Sequence, residues 1–378
     1  RGSSVKADGD IHLFAAPFEL HPDMPLNARI DFSNVEYNDF FTHAFSGPAI
    51  QGLLGGEVVV SGKLRSLKAS AAVLAKGIEV EQIRLGDLAG KARFLDGKLL
   101  LDSLRLTNNR TDLEARGEIS LLRKDTWQTV ENPVFKLDLA DGHVFLEDFT
   151  KDIAGELIID TDLAGQFKAP RGRLALKGQD IDLGVQQIEM FIVNMQVGDK
   201  AITIEPLDIK MPKGGSIKGE GRVGFDRSFE FQLQSRGLPI DSIDRVRELK
   251  QVAGQLDIDI QGSGLIHRPE ISGKMKWRGI RVKNEEIDDL HVKFNLKDNR
   301  ISLEGKQTFD LSAEYDLSSK AFSVDLTMNN TRLEPWYAVA GQPELGGQIS
   351  GSIRTEGYAG DLERIRATID VQNLDLEY

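Results

Sequence analysis

Leu290-His-Val-Lys-Phe-Asn-Leu-Lys-Asp-Asn-Arg-Ile-Ser-Leu303 decides the fold class. Leu290, Val292, Phe294 and Leu296 alternate with His291, Lys293, Asn295 and Lys297, the period-two pattern of a strand with one apolar and one solvated face. Asp298-Asn299 interrupts the pattern, and Arg300-Ile-Ser-Leu303 resumes it. Two residues that tolerate positive φ suit a tight hairpin, whereas a parallel neighbour needs a crossover of about a dozen residues or more. The stretch predicts antiparallel strands.

The same grammar extends outward. Leu256, Ile258 and Ile260 alternate with Asp257, Asp259 and Gln261, and Phe322, Val324, Leu326 and Met328 alternate with Ser323, Asp325 and Thr327. Asp96-Gly97 separates two apolar runs, and so does Asp226-Arg-Ser228. Above this lies a longer period. Gly55-Gly-Glu-Val-Val-Val, Ala154-Gly-Glu-Leu-Ile-Ile, Ala253-Gly-Gln-Leu-Asp-Ile and Gly346-Gly-Gln-Ile-Ser-Gly recur after 99, 99 and 93 residues. Upstream of each stands a second landmark: Asn34 to Phe40, His143 to Phe149, Gly237 to Ile243 and Thr331 to Trp336.

A fixed period means that units bury their apolar faces against one another. The expectation is an all-β, elongated, mostly antiparallel repeat sheet. Residues 1–378 are expected to form one continuous array cut from a longer protein: a partial unit 1–33, units 34–142, 143–236, 237–330 and 331–372, and at 373–378 the opening of another. Short helical turns punctuate it. The main one is expected over Asp241 to Val252, where Ile243, Val246 and Leu249 share a face. Its counterparts are Phe40 to Leu54, Phe149 to Ile153 and Trp336 to Ala340.

Composition narrows the functional classes. Apolar residues make up 40% and charged residues 28% of the 378, a globular profile. The 59 acidic against 47 basic residues give a net charge of −12, with no basic run longer than Arg245 to Lys250, which argues against nucleic acid and against lying on an anionic membrane. Cysteine is absent, which removes disulfides and thiol chemistry. No stretch is long and apolar enough for a transmembrane helix, so any membrane anchor would lie outside this segment.

Catalytic constellations are missing. His12, His21, His43, His143, His267 and His291 show no metal-ligand spacing. The pairs Asp180/Asp182, Asp257/Asp259 and Asp288/Asp289 lack a calcium-loop pattern and are expected to keep a strand face solvated. Gly214 to Gly221 lacks the Gly-Lys-Ser/Thr ending of a phosphate loop and reads as a turn. Asn109-Arg-Thr111 and Asn329-Asn-Thr331 fit a glycosylation triplet that is common by chance. No enzyme, cofactor or metal is expected.

What remains is the apolar face. Its candidates are Val58, Val60, Phe94, Leu99, Leu101, Phe135, Leu137, Ile159, Leu174 and Leu176 in the first half. In the second half they are Ile202, Ile204, Phe229, Phe231, Leu233, Ile258, Ile260, Met275, Trp277, Phe294 and Leu311. With almost no helix to cover such a face, the sheet either folds onto itself or curls into a trough for an apolar ligand.

Val252-Ala-Gly-Gln-Leu-Asp-Ile-Asp-Ile-Gln-Gly-Ser-Gly264, Arg268-Pro-Glu-Ile-Ser-Gly273, Ile280 to Phe294 and Asn299-Arg-Ile-Ser-Leu-Glu-Gly305 resemble, in that order, the repeating unit of the TamB proteins, the translocation and assembly family of the wider AsmA-like group. Gly346 to Ile369 follows the same order, and the first two units do so more loosely. The resemblance implies that the repeat sheet is curled into a U-shaped hydrophobic groove, in a periplasmic segment of an inner-membrane-anchored protein of a Gram-negative bacterium. It further implies phospholipid transport between the inner and outer membranes, with phospholipid acyl chains as ligands and an outer-membrane barrel as partner in protein assembly. The rival from the residues is a closed-core β-solenoid with an adhesive or structural role. A β-helix enzyme acting on polysaccharide lacks a catalytic cluster.

Overall fold

The structure, a computed structural model, describes residues 2–11, 14–16, 19–20, 25–37, 50–63, 66–124, 126, 128–198, 200–244, 252–282, 285–306, 309–334, 337 and 345–377. It is all-β, and the named pairings are antiparallel. Contacts divide the chain into two compact units: Arg1–Leu183 with Asn194–Asp199, and Gly184–Val193 with Lys200–Tyr378.

The first unit carries β1 (Ser4–Ile11), β2 (Phe14–Ala16), β3 (Glu19–Leu20), β4 (Pro25–Glu36), β5 (Ile50–Lys63), β6 (Lys68–Val80), β7 (Ile83–Leu95), β8 (Lys98–Asn108), β9 (Thr111–Ser120), β10 (Val134–Phe145), β11 (Ala154–Gln166) and β12 (Ala169–Asp182). β2 and β3 pair with each other. β1 pairs with β4, and from β4 each strand pairs with the next through β12. β13 (Gln187–Val197) is divided between the units.

The second unit continues with β14 (Ala201–Lys210), β15 (Ser216–Gly224), β16 (Ser228–Pro239), β17 (Val252–Leu265), β18 (Arg268–Val282), β19 (Glu285–Ile287), β20 (Leu290–Lys297), β21 (Arg300–Lys306), β22 (Phe309–Asp316), β23 (Ala321–Arg332), β24 (Gly346–Tyr358) and β25 (Asp361–Glu377). Neighbours again pair in order, except that β19 and β20 both pair with β18. The hairpins fall where the turn residues put them. Asp96 and Gly97 (φ 52° and 75°) join β7 to β8, and Asp298 and Asn299 (φ 49° and 60°) join β20 to β21.

The second landmark of the repeat marks a β-bulge. In β4, β10, β16 and β23 the ladder skips a residue around Asn34, Asp141, Gly237 and Asn330, each in the left-handed region with φ between 47° and 60°. Gly77, Asp180 and Gly279 do the same in β6, β12 and β18. Asn, Asp and Gly supply that conformation with the least steric cost. These bulges lie near the C-terminal ends of strands that run the same way within their unit, so they line up along one rim.

The core sits there too. Val35, Ile181, Leu238, Ile280 and Thr331, each one residue past a left-handed position, are at most 5% exposed. Leu238 packs with Met211 and Leu256, and Ile243 and Trp277 close the cluster.

Segments leaving the bulged strands tie back along the rim. After β10, Asp148 accepts from Thr111 N at 2.9 Å and from Thr111 Oγ1 at 2.8 Å, in the turn between β8 and β9. After β16, Asp244 accepts from Gln187 N at 2.7 Å.

Several local expectations are corrected. The helix expected over Asp241 to Val252 falls mostly on residues 245–251, which lie outside the described residues; of its start, Ile240–Ser242 form a 3-10 turn, Ile243 is extended and Asp244 is helical. The turn expected at Phe149 to Ile153 is a 3-10 turn at Leu146–Asp148. Ile50 to Leu54 is strand, paired with β6, while residues 40–49 and most of 336–340 lie outside the described residues. Within Gly214 to Gly221 the turn is confined to Pro212–Gly214, and the rest belongs to β15.

The acidic residues do more than solvate a face. Bulging withdraws an amide from the ladder, and a side chain from the segment that follows accepts it, on the next strand in four cases and, for Asp289, just ahead of β20. Gly77 N donates to Asp87 at 2.8 Å, Asp141 N to Asp160 at 2.8 Å, Gly237 N to Asp257 at 2.7 Å, Gly279 N to Asp289 at 3.0 Å and Asn330 N to Ser350 Oγ at 2.9 Å. Asp257 also pairs with Arg278 at 2.9 Å, and its side chain is only 19% exposed. The Gly237 amide, with Arg278, holds its carboxyl below the ordinary carboxylate value.

A carboxyl with a lowered folded-state pKa adds stability above its unfolded pKa, and that stability is lost as pH falls through the folded value. Asp257→Ala should therefore cost about 1–3 kcal/mol at neutral pH. The gap from wild type should close as the medium is acidified below about pH 4. Asp259→Ala, which removes an exposed pair with Arg236, should cost about 0–1 kcal/mol. Urea denaturation across a pH series measures both, and equal losses for the two variants would contradict the role of the bulge amide.

Candidate apolar groove

Register assigns every predicted apolar residue to one face of its unit, because residues directly opposite across a ladder point the same way. In the first unit one row runs Val60, Ala69, Phe94, Leu99, Ile119 and Phe135. The next runs Val58, Ala71, Ala92, Leu101, Gly117, Leu137 and Leu163. Leu139, Thr161 and Leu174 form a third row, and Ile159 stands opposite Leu176.

In the second unit Ile204, Gly221, Phe231, Gly262, Ile271 and Leu296 form a row. Beside it run Gly219, Leu233, Ile260, Gly273 and Phe294, then Ile258, Met275, Val292, Gly305 and Leu311. Ile202 and Phe229 share Val223 as a neighbour, and Trp277 faces Leu256. No charged side chain occurs in any of these rows. All 21 predicted residues are half-buried, neither sealed in a core nor fully exposed.

In the first unit the face encloses space. A cavity of about 730 Å³ is lined from β4 to β8 by Ile30, Phe32, Leu54, Val58, Val73, Ile78, Leu88, Leu104 and Leu106, among others, with Tyr37 and Gln51 as its polar members. Five strands spaced about 4.8 Å apart span roughly 20 Å. For all five to touch one cavity, the sheet must be concave on its apolar side.

Of the predicted residues only Val58 lines this cavity; Val60, Phe94, Leu99 and Leu101 lie farther along the same face. Leu104 and Leu106 escape the sequence pattern because the β8 ladder skips between Leu101 and Leu104, which reverses the parity of the alternation. In the second unit, cavities of about 690 and 470 Å³ lie among polar side chains such as Glu230, Gln261 and Asn295.

Glycines shape the apolar wall. A Cβ on Gly262 would stand 2.4 Å from the Phe231 ring, and one on Gly273 2.4 Å from the Phe294 ring. Each ring lies flat across the glycine on the neighbouring strand instead of projecting from the sheet.

The opposite face is ionic. Arg93 and Asp102 pair at 2.6 Å, Arg236 and Asp259 at 2.8 Å, and Arg354 and Asp325 at 2.5 Å. The Arg93 hydrogen bond lowers the Asp102 pKa. His143 is raised, chiefly by its 2.7 Å bond to Glu156. His267 and His291 are exposed, and His12, His21 and His43 lie outside the described residues. Among the described residues no group of three or more His, Asp or Glu is arranged to hold a metal, and no helix is long and apolar enough to cross a membrane.

No family model, curated protein or solved structure matches the chain.

Gly273→Ala should lower stability by about 1–3 kcal/mol through overpacking. Because the methyl displaces the Phe294 ring, a cycle with Phe294→Ala should show a coupling of about 0.5–3 kcal/mol. Additive losses in chemical denaturation would mean that the ring does not rest on Gly273.

Proposed function

We propose that the chain is a non-enzymatic conduit that holds lipid acyl chains against its apolar face. The observation that carries this reading is the uncharged, half-buried face, which opens in the first unit into a cavity of about 730 Å³. That volume falls within the roughly 300–1,000 Å³ of ligand cavities. Acyl chains would pack on Ile30, Leu54, Val58 and Leu104, each buried methylene contributing about 0.8 kcal/mol. Smooth apolar walls offer few hydrogen bonds, so the ligand class is chain-bearing lipid in general. The polar opposite face keeps the outside wet.

The TamB-like order of motifs supports the same reading. It extends the proposal to a periplasmic segment of an inner-membrane-anchored protein that moves phospholipid toward the outer membrane and takes part, with a barrel partner, in outer-membrane protein assembly. Antiparallel hairpins and an apolar cavity weigh against the adhesive solenoid with parallel rungs and a closed core.

Native mass spectrometry of the purified chain should detect phospholipid, and a fluorescent fatty acid should displace it. Val58→Asp puts a carboxylate into the cavity. A charge in an apolar membrane centre costs about 2.5–3.5 kcal/mol, so binding should weaken roughly a hundredfold. Lys91→Asp, exposed on the other face, should leave it unchanged. A folded Val58→Asp protein that binds as well as wild type would refute the conduit at this cavity.

A further inference from the structure

On the solvated face of the second unit, β18, β20 and β21 assemble cations that no stretch of sequence announces. Register sets Lys274 directly opposite Lys293, and Lys276 opposite His291. Like charges placed directly across a ladder destabilise it. The nearby carboxylates are largely engaged: Asp257 by the Gly237 amide and Arg278, and Asp259 by Arg236. Glu304, opposite Lys293, is the third. Lys274, Lys276 and Lys293 make no ion pair among the described residues. With Lys306 they line a furrow of about 470 Å³.

We propose that this furrow binds a phosphate group, seated between Lys274 and Lys293 with Lys276 beside them. Each ammonium offers three rotatable donors, and bonds between ionised partners are the strong ones. Ammonium groups converging from two strands match the several oxygens and the higher charge of a phosphate better than the two coplanar oxygens of one carboxylate. The same chemistry is presented by a phospholipid head group and by a soluble phosphate compound. The site is on the solvated face of the second unit, whereas the acyl-chain cavity is on the apolar face of the first, and it does not depend on that reading.

Thermal unfolding of the whole chain with inorganic pyrophosphate, and flotation with vesicles of phosphatidylglycerol and phosphatidylcholine, test the site. Pyrophosphate should raise the unfolding temperature, and the double variant Lys274→Gln/Lys293→Gln should weaken the response at least about tenfold. Lys91→Gln/Lys98→Gln, on the first unit, should not. Without phosphate, Lys293→Gln alone should raise the unfolding temperature by relieving the repulsion. A lysine-dependent response to vesicles but not to pyrophosphate assigns the site to a head group, and the reverse assigns it to a soluble phosphate. No response to either, or equal responses in the double variant and wild type, would overturn the proposal.

Discussion

A strand shows alternate residues to opposite faces, so one extra residue on one side of a ladder exchanges everything beyond it. The apolar face of this protein depends on controlling that exchange. Bulges at Asn34, Gly77, Asp141, Asp180, Gly237, Gly279 and Asn330 each insert a residue in the left-handed region. At Gly77, Asp141, Gly237, Gly279 and Asn330 a side chain from the segment that follows takes the freed amide. The inserted residue thus has a fixed place, and the side chain that follows turns into the core, as Leu238 and Ile280 do. A buried amide without an acceptor would make the bulge costly and the register ambiguous.

Within each unit the two faces then divide the work. On one, rows such as Val58 to Leu163 and Gly219 to Phe294 contain no charge. On the other, arginine and aspartate pair between strands, as in Arg93 with Asp102 and Arg354 with Asp325. Exposed pairs of this kind stabilise little individually. Their larger effect is on specificity, since a strand slipped by one residue would bury them.

Much of the fold was legible because its determinants are local. Asp96-Gly97 and Asp298-Asn299 specify hairpins by their own backbone preferences, and period-two alternation sorted Phe231, Phe294 and Leu311 onto the apolar face. What escaped the sequence was set by contacts between strands. Asp257 and Asp289 looked like solvating carboxylates because Gly237 and Gly279, the amides they accept from, lie 20 and 10 residues upstream. Leu104 and Leu106 lie past a bulge that breaks the alternation. Lys274 and Lys293 are 19 positions apart, and only the register makes them neighbours.

The rings resting on glycine also bear on how such a chain can change over evolutionary time. Phe231 with Gly262 and Phe294 with Gly273 are complementary in size across a strand boundary, so neither member can drift alone without a clash or a hole. An exchange that put the large residue on the other strand would preserve the wall. Descendants of this sequence should therefore show paired substitutions at these positions, and the wall's smoothness can be inherited while the residues composing it are not.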